Sequence, residues 1–298
     1  GILRYALTDM DTLYHYCSTA SFHAIIQSRA LWLSALSLSN DTMEGKLVAS
    51  TIARLAKRDG LNVNATRILG DGLEFWERYL VGLGFCLSAK GDLLSQWRGY
   101  AGNATGVAIG FSSKYLKWLS GANKDPGYPS FYIQKVEYNP SVHVKIIEPT
   151  YLKISQAIKD GTLRPPQPMG MISTASMTYE ERIATQTANR EMRLKLHSEF
   201  RPILLQLFFL KSIAFQEERE WRLLSFLIRN GEDACSHRIA DNRIIPYRKV
   251  DLIELERRPI AEVILGPRHG TPPEIVQNFL QLNGYGFVKV KRSEASYR

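Results

Sequence analysis

The apolar residues of this chain are gathered into short runs, and the longest, Ile203-Leu204-Leu205-Gln206-Leu207-Phe208-Phe209-Leu210, ends after eight positions. A bilayer-crossing helix needs about 20, so no membrane span is expected. The same shortness restricts the chain to brief strands and helices that must pack on one another to close a core. No internal repeat or low-complexity tract offers another plan.

Residues 13–16 read as a strand, and Ser18 or Thr19 can cap a helix over 21–29, where Phe22, Ile25 and Ile26 fall at helical spacing. Residues 31–33 read as a second strand. Asn40, Asp41 and Glu44 have capping-box spacing and predict a helix running through Leu55; another covers about 72–79. Residues 81–87 and 105–111 are short, apolar and bounded by glycines, as core strands are, with a helical turn over 93–100 between them. The stretch 121–129 is turn-rich and leads into a strand over 131–138. Helical pattern returns at 151–158, and Arg164-Pro165-Pro166-Gln167-Pro168 is a stiff linker that fits neither helix nor central strand. Thr178 and Glu181 form a capping box opening a long charged helix to about 200, and Pro202 suits the first turn of another. Strands follow over 221–228, 261–265 and 287–290, with a helix over 273–282. The order predicts a single α+β domain over 1–298, with a mixed, mainly antiparallel sheet and a helical insertion at about 140–205. A doubly wound parallel sheet is excluded because helices do not regularly separate the strands.

Charge and cysteine content narrow the function classes. The chain has 38 Lys and Arg against 29 Asp and Glu, for a formal net charge of +9, which favours anionic partners such as nucleic acid, nucleotides or phosphates. The surplus is diffuse and lies in the later two thirds. Three cysteines, Cys17, Cys86 and Cys235, are odd in number and widely spaced, which points to a reducing compartment, and with no basic-then-apolar leader after Gly1 a cytoplasmic location is expected. Cys235 and His237 are close in sequence, but no second pair joins them at metal-ligand spacing, so no metal is expected. Nucleotide-binding glycine loops, Gly-x-Ser-x-Gly and His-Glu-x-x-His are absent.

What remains is polar chemistry in apolar settings. His15 stands between Tyr14 and Tyr16 on the first strand, either as a satisfied structural residue or as a functional one. Trp97 and Tyr100 lie three apart beside Arg98, as a core pair or as a stacking wall for a planar ring with a cation for phosphate. Glu217-Glu218-Arg219-Glu220-Trp221-Arg222 runs into an apolar strand. If that strand begins at Glu218, alternation places Glu218, Glu220 and Arg222 on one face. The run is either surface decoration or the carboxylate pair that sugar-transfer chemistry uses, one stabilising an oxocarbenium-like centre and the other activating the acceptor.

The ordered set Leu13-Tyr14-His15-Tyr16-Cys17-Ser18, Leu31-Trp32-Leu33-Ser34, Asn40-Asp41-Thr42-Met43-Glu44-Gly45, Phe85-Cys86-Leu87-Ser88, Trp97-Arg98-Gly99-Tyr100, Gly106-Val107-Ala108-Ile109-Gly110-Phe111 and Glu218-Arg219-Glu220-Trp221-Arg222 resembles a bacterial domain-of-unknown-function family numbered two-nine-seven-one. The likeness spans the chain except about 140–205, with departures at Cys17 and Thr42. The opening strand and helix resemble those of ADP-ribosyltransferases. That resemblance implies a split sheet and NAD as substrate, with ADP-ribose passed to a nucleic acid or protein acceptor, as in a toxin or anti-phage defence effector. It places His15 as an NAD anchor, Glu220 as the catalytic carboxylate and Glu218 as its partner. Tyr16, Trp97 and Tyr100 are candidates to stack on nicotinamide, Ser34 joins the cofactor set, and Arg98 or Arg222 is the expected partner of the pyrophosphate. A non-catalytic nucleic-acid or nucleotide-binding module, with Trp97 and Tyr100 stacking on bases, is the alternative.

Overall fold

The structure, a computed structural model, describes residues 12–36, 46–122, 131–167, 169–170, 174–229, 235–240, 242–253 and 258–296. The expected capping box ending at Glu44, with Asn40 and Asp41, and most of the turn-rich stretch after 121, lie outside the described residues.

The chain opens with β1 (Thr12–Cys17), α1 (Thr19–Ser28) and β2 (Ala30–Ala35). Ser18 caps α1 by accepting the amide of Ser21, and Phe22, Ile25 and Ile26 are its buried face, as the spacing predicts. Then come α2 (Lys46–Arg58), α3 (Val63–Tyr79), β3 (Leu80–Ser88), α4 (Leu94–Tyr100), β4 (Val107–Ser112), α5 (Ser113–Ala122), β5 (Tyr132–Lys135) and α6 (Pro140–Lys159). The Thr178 capping box opens α7 (Tyr179–Glu199), with both reciprocal bonds made. Two 3-10 segments, Arg201–Phe208 and Ile213–Glu218, lead into β6 (Glu220–Ile228), followed by β7 (Ser236–Ala240), β8 (Arg243–Asp251), β9 (Ile260–Leu265), α8 (Pro273–Leu282) and β10 (Lys289–Arg292).

The fold is α+β with a ten-stranded, mainly antiparallel sheet in which, among the described residues, β9 and β10 are the one parallel strand pair. Its centre is β3, paired along its whole length with β6 on one edge. The other edge is shared: β2 pairs at Leu83 and Gly84, and β1 pairs at Ser88. Because one strand edge carries two partners at different heights, the sheet forks there. One arm continues from β1 through β4 and β9 to β10, the other from β2 through β8 to β7.

Helices cover both faces. Phe22 and Ile26 of α1, Leu116 of α5 and Leu280 of α8 share a buried cluster with Leu223 of β6. Its neighbour Leu224 joins the opposite cluster with Ile52 of α2, Leu69 of α3, Tyr151 and Ile154 of α6, and Phe200, as alternation on a strand requires. The helices of 140–205 therefore form one layer with α2 and α3 against the sheet.

Four sequence expectations are corrected. The strand expected over 221–228 is present as Glu220–Ile228, but the alternation that would start it at Glu218 fails, because Arg219 is left-handed (φ 44°) and Glu218 ends a 3-10 segment. The last strand lies at Lys289–Arg292, beyond the 287–290 expected. The helix expected after Pro202 is 3-10. Helix α5 and strands β7 and β8 were not foreseen.

Tight approach where the chain enters β4 gives the first prediction. A Cβ at Gly106 would lie 2.1 Å from the carbonyl oxygen of Cys17 and 2.9 Å from that of Ala101, both backbone atoms that cannot swing aside. Gly106→Ala is expected to lower stability by about 1–3 kcal/mol, read as a lower urea midpoint at unchanged slope; an unchanged midpoint would contradict the geometry.

Candidate functional site

The fork opens onto a cavity of about 540 Å³, within the size range of small-molecule sites. Strand β1 contributes His15 and Tyr16, β2 contributes Trp32 and Ser34, and β3 supplies the floor from Gly84 to Leu87. Tyr100 at the end of α4 stands on the rim, and Lys211, Glu218, Glu220 and Arg222 form the far wall. His15, Tyr16, Ser34, Tyr100, Glu218, Glu220 and Arg222, widely separated in sequence, thus face one space.

Two expected site residues lie elsewhere. Trp97 is 0% exposed and packs edge-on against Tyr16 at 4.9 Å, its Nε1 donating to Asp92 at 2.7 Å. It is core, and cannot stack on a ring or base. Arg98 is exposed and does not line the cavity, so the pyrophosphate role expected of it has no geometric support. Tyr16 presents an edge to the cavity while its hydroxyl donates to the Lys90 carbonyl at 2.7 Å and accepts the Leu93 amide at 3.0 Å. Of the three stacking candidates only Tyr100, 47% exposed, keeps an open ring.

The wall is built around an unforeseen residue. Lys211 closes the apolar run of the first 3-10 segment and is 5% exposed. Its Nζ donates to Glu218 Oε2 at 2.7 Å and Glu220 Oε2 at 3.1 Å, and lies 4.9 Å from the Phe215 ring centre. Burial opposes its charge, but Glu220 and Glu218 outweigh that and raise it above an ordinary lysine. The signal in the sequence is a lone lysine ending a buried run, which must find carboxylates; the nearest are Glu217, Glu218 and Glu220.

Glu220 is 5% exposed. Arg222 grips it with Nε on Oε1 at 2.6 Å and Nη2 on Oε2 at 3.1 Å, and sends Nη1 to the Phe208 carbonyl at 2.7 Å. The Arg222 of the expected phosphate clamp is therefore committed to Glu220. Burial pushes the Glu220 carboxyl up and Lys211 opposes it; with a guanidinium fork and an ammonium on its oxygens, the group is held as carboxylate. Although Glu218 is off the strand, the left-handed turn at Arg219 brings both carboxylates onto the one ammonium. Tyr100 Oη donates to Glu218 Oε1 at 3.3 Å. On the floor, burial and then the Glu220 charge push the Cys86 thiol up, so it stays protonated.

His15 faces the wall from β1. Its Nδ1 donates to the Cys86 carbonyl at 2.8 Å, since a carbonyl can only accept, and its ring stacks on Phe85 at 3.9 Å. Nε2 is then the acceptor nitrogen of a neutral imidazole. Burial pushes the ring's pKa down to about 4. A folded-state value below the unfolded 6.5 means that the unfolded chain takes the proton first, so stability falls as pH drops from 6.5 toward 4. The contribution is on the order of 2–3 kcal/mol between pH 7 and 4.5. His15→Gln should lose that much less than the parent on acidification, by urea unfolding at the two pH values; equal losses would refute the assignment.

The cavity thus carries a neutral acceptor at His15, an aromatic hydroxyl at Tyr100, and two carboxylates bridged by one ammonium. Among the described residues no three His, Cys, Asp or Glu side chains are placed to hold a metal, no cysteine is in a disulfide, and no helix is long and apolar enough to cross a membrane.

Comparison with known proteins gave one likeness. No curated protein and no solved structure matched the chain. The model of a family described as Protein of unknown function (DUF2971) matches residues 96–223, a span that includes the helical region the motif-by-motif resemblance left out and omits β1 and β2. Over the segment carrying Tyr100, Lys211, Glu218, Glu220 and Arg222, the chain is similar to that family, whose description assigns no activity.

Proposed function

We propose that the fork cavity binds NAD, cleaves its nicotinamide glycosidic bond and transfers ADP-ribose to a macromolecular acceptor. The observation that carries the reading is the convergence of His15, Tyr100, Glu218 and Glu220 on one cavity. The bond between ribose C1′ and the nicotinamide nitrogen breaks with its electron pair leaving on the ring. Glu220 offsets the positive charge developing on the ribose. An acceptor oxygen or nitrogen forms the new bond to C1′ and passes its proton to Glu218. Tyr100 supplies the ring face for nicotinamide, and His15 accepts a ribose hydroxyl at Nε2. Such chemistry consumes NAD and marks macromolecules, which is what a toxin or anti-phage effector does.

Nucleic acid is the favoured acceptor class. A second groove, about 330 Å³, lies between α3 and α7, lined by Arg78, Arg164 and Arg193 against Asp71 and Glu74, with His197 stacked on Phe75 at 3.6 Å, a modest net positive charge for a polyanion. The same groove supports the alternative, a binding module without catalysis, although the loss of Trp97 to the core removes half of the stacking wall on which that reading relied.

Incubation with nicotinamide-labelled NAD and candidate protein and nucleic acid acceptors decides between them. Nicotinamide release that disappears in Glu220→Gln supports the enzyme. No release under any condition, with salt-sensitive nucleic acid binding that Glu220→Gln leaves intact, overturns it in favour of the module.

A further inference from the structure

The cations of the far wall are occupied. Lys211 bridges Glu218 and Glu220, and Arg222 is shared between Glu220 and the Phe208 carbonyl. An anionic ligand entering the cavity needs a different partner, and one other cation lines it. Arg238 of β7 is half-buried, with Nε donating to Ser34 Oγ at 3.2 Å. Neither of its terminal nitrogens has a partner among the described residues. The Ser34 hydroxyl fixes the plane of the guanidinium through Nε, leaving the Nη pair as an oriented fork of the kind that matches phosphate oxygens.

We infer that Arg238, oriented by Ser34, is the phosphate-binding group of this cavity and receives the diphosphate of a dinucleotide. The inference rests on the NAD reading for the identity of the ligand, but on Arg238 and Ser34 alone for its phosphate.

Backbone register bears on size. Ser34 pairs with Gly84 and Glu220 pairs with Ser88, so the two ends of the site are four residues apart along β3, roughly 13 Å at strand rise. A free phosphate or a single sugar cannot touch both. A dinucleotide can lie with its diphosphate on the β2–β7 arm and its reacting ribose at the carboxylates. The arrangement also separates charges: the anion sits on the arm away from Glu218 and Glu220, where like charge would repel it.

Isothermal titration with ADP, NAD, inorganic pyrophosphate and nicotinamide riboside, on parent, Arg238→Ala and Ser34→Ala, tests this. Arg238→Ala is expected to weaken ADP and NAD about 10–100-fold, the range for a charge-assisted hydrogen bond, and to leave nicotinamide riboside, which has no phosphate, within twofold. Ser34→Ala is expected to weaken the same two ligands by a smaller factor, with the unfolding midpoints of all three proteins alike. Equal ADP affinity in parent and Arg238→Ala, or no binding of any of the phosphate compounds by the parent, overturns the inference. Cleavage of NAD with normal affinity in Arg238→Ala overturns it while the glycosidic reading stands. Loss of ADP binding in Arg238→Ala, in a protein that never releases nicotinamide, leaves the phosphate site standing and removes the glycosidic reading.

Discussion

Arg222→Met is expected to destabilise the protein by about 3–5 kcal/mol, the cost of removing one partner from a buried ion pair. Arg222 is 3% exposed, and its side chain donates twice to Glu220 and once to the Phe208 carbonyl. Methionine fills much of the volume and satisfies none of them. Glu220 is then left with the Lys211 ammonium at 3.1 Å as its cation and the Cys86 thiol as a weaker donor, and the Phe208 carbonyl loses the donor that Arg222 supplied. The double variant Arg222→Met/Glu220→Leu separates charge from shape. With both charges gone, Lys211 keeps its shorter bond to Glu218 at 2.7 Å, and more than half of the lost stability should return. Urea unfolding of the two singles and the double closes the cycle. A single-variant loss under about 1 kcal/mol, or a double equal to the sum of the singles, would show that the pair is not coupled as its geometry requires.

Local elements of this fold are legible in the sequence, and the site is legible only in its residue types. Phe22, Ile25 and Ile26 have one helical face to bury and Ser18 stands at the cap, so α1 follows from spacing alone. The box of Thr178 and Glu181 is equally local. Strand β8 is not: Pro246 interrupts its pattern, and it forms by pairing with β2 more than 200 residues earlier, a partner that no local period can announce. The fork depends on the same distant pairing, and without it Ser34, Arg238 and Glu220 have no reason to share a cavity. Trp97 shows the opposite failure. Helical spacing groups it with Tyr100, yet the packing of α4 on β1 turns the indole inward onto Tyr16 and leaves the phenol at the rim. The left-handed turn at Arg219 shows a third limit: at a non-glycine it leaves no composition signal, so an alternation counted from Glu218 takes in a residue that belongs to the turn before β6.

Glu220→Gln is expected to lower kcat for nicotinamide release by about 10²–10³-fold, with KM changed by less than threefold, if Glu220 faces the developing oxocarbenium charge. The KM prediction follows from where the charge appears: the ribose is neutral in bound substrate and cationic only near the transition state, so a carboxylate opposite it acts on kcat. Glu218→Gln should behave differently. As the group that takes the acceptor's proton it is needed for transfer, by about 10²–10⁴-fold, whereas hydrolysis, in which the attacking water can pass its proton to bulk solvent as it becomes the C1′ hydroxyl, should fall less. The ratio of transfer to hydrolysis therefore drops in Glu218→Gln and stays near the parent value in Glu220→Gln. Each single variant leaves the Lys211 ammonium one intact carboxylate, at 2.7 Å from Glu218 or 3.1 Å from Glu220; Glu220→Gln also takes one acceptor oxygen from the Arg222 fork, so it is expected to be the less stable single, and its rate is compared at a temperature where urea unfolding shows both singles folded. The double Glu218→Gln/Glu220→Gln leaves Lys211 without a carboxylate and is expected to be the least stable of the three. A folded Glu220→Gln that releases nicotinamide at the parent rate removes Glu220 from the chemistry. Equal transfer-to-hydrolysis ratios in both singles remove the division of labour, because a pair acting as one charge cluster would lose both reactions together.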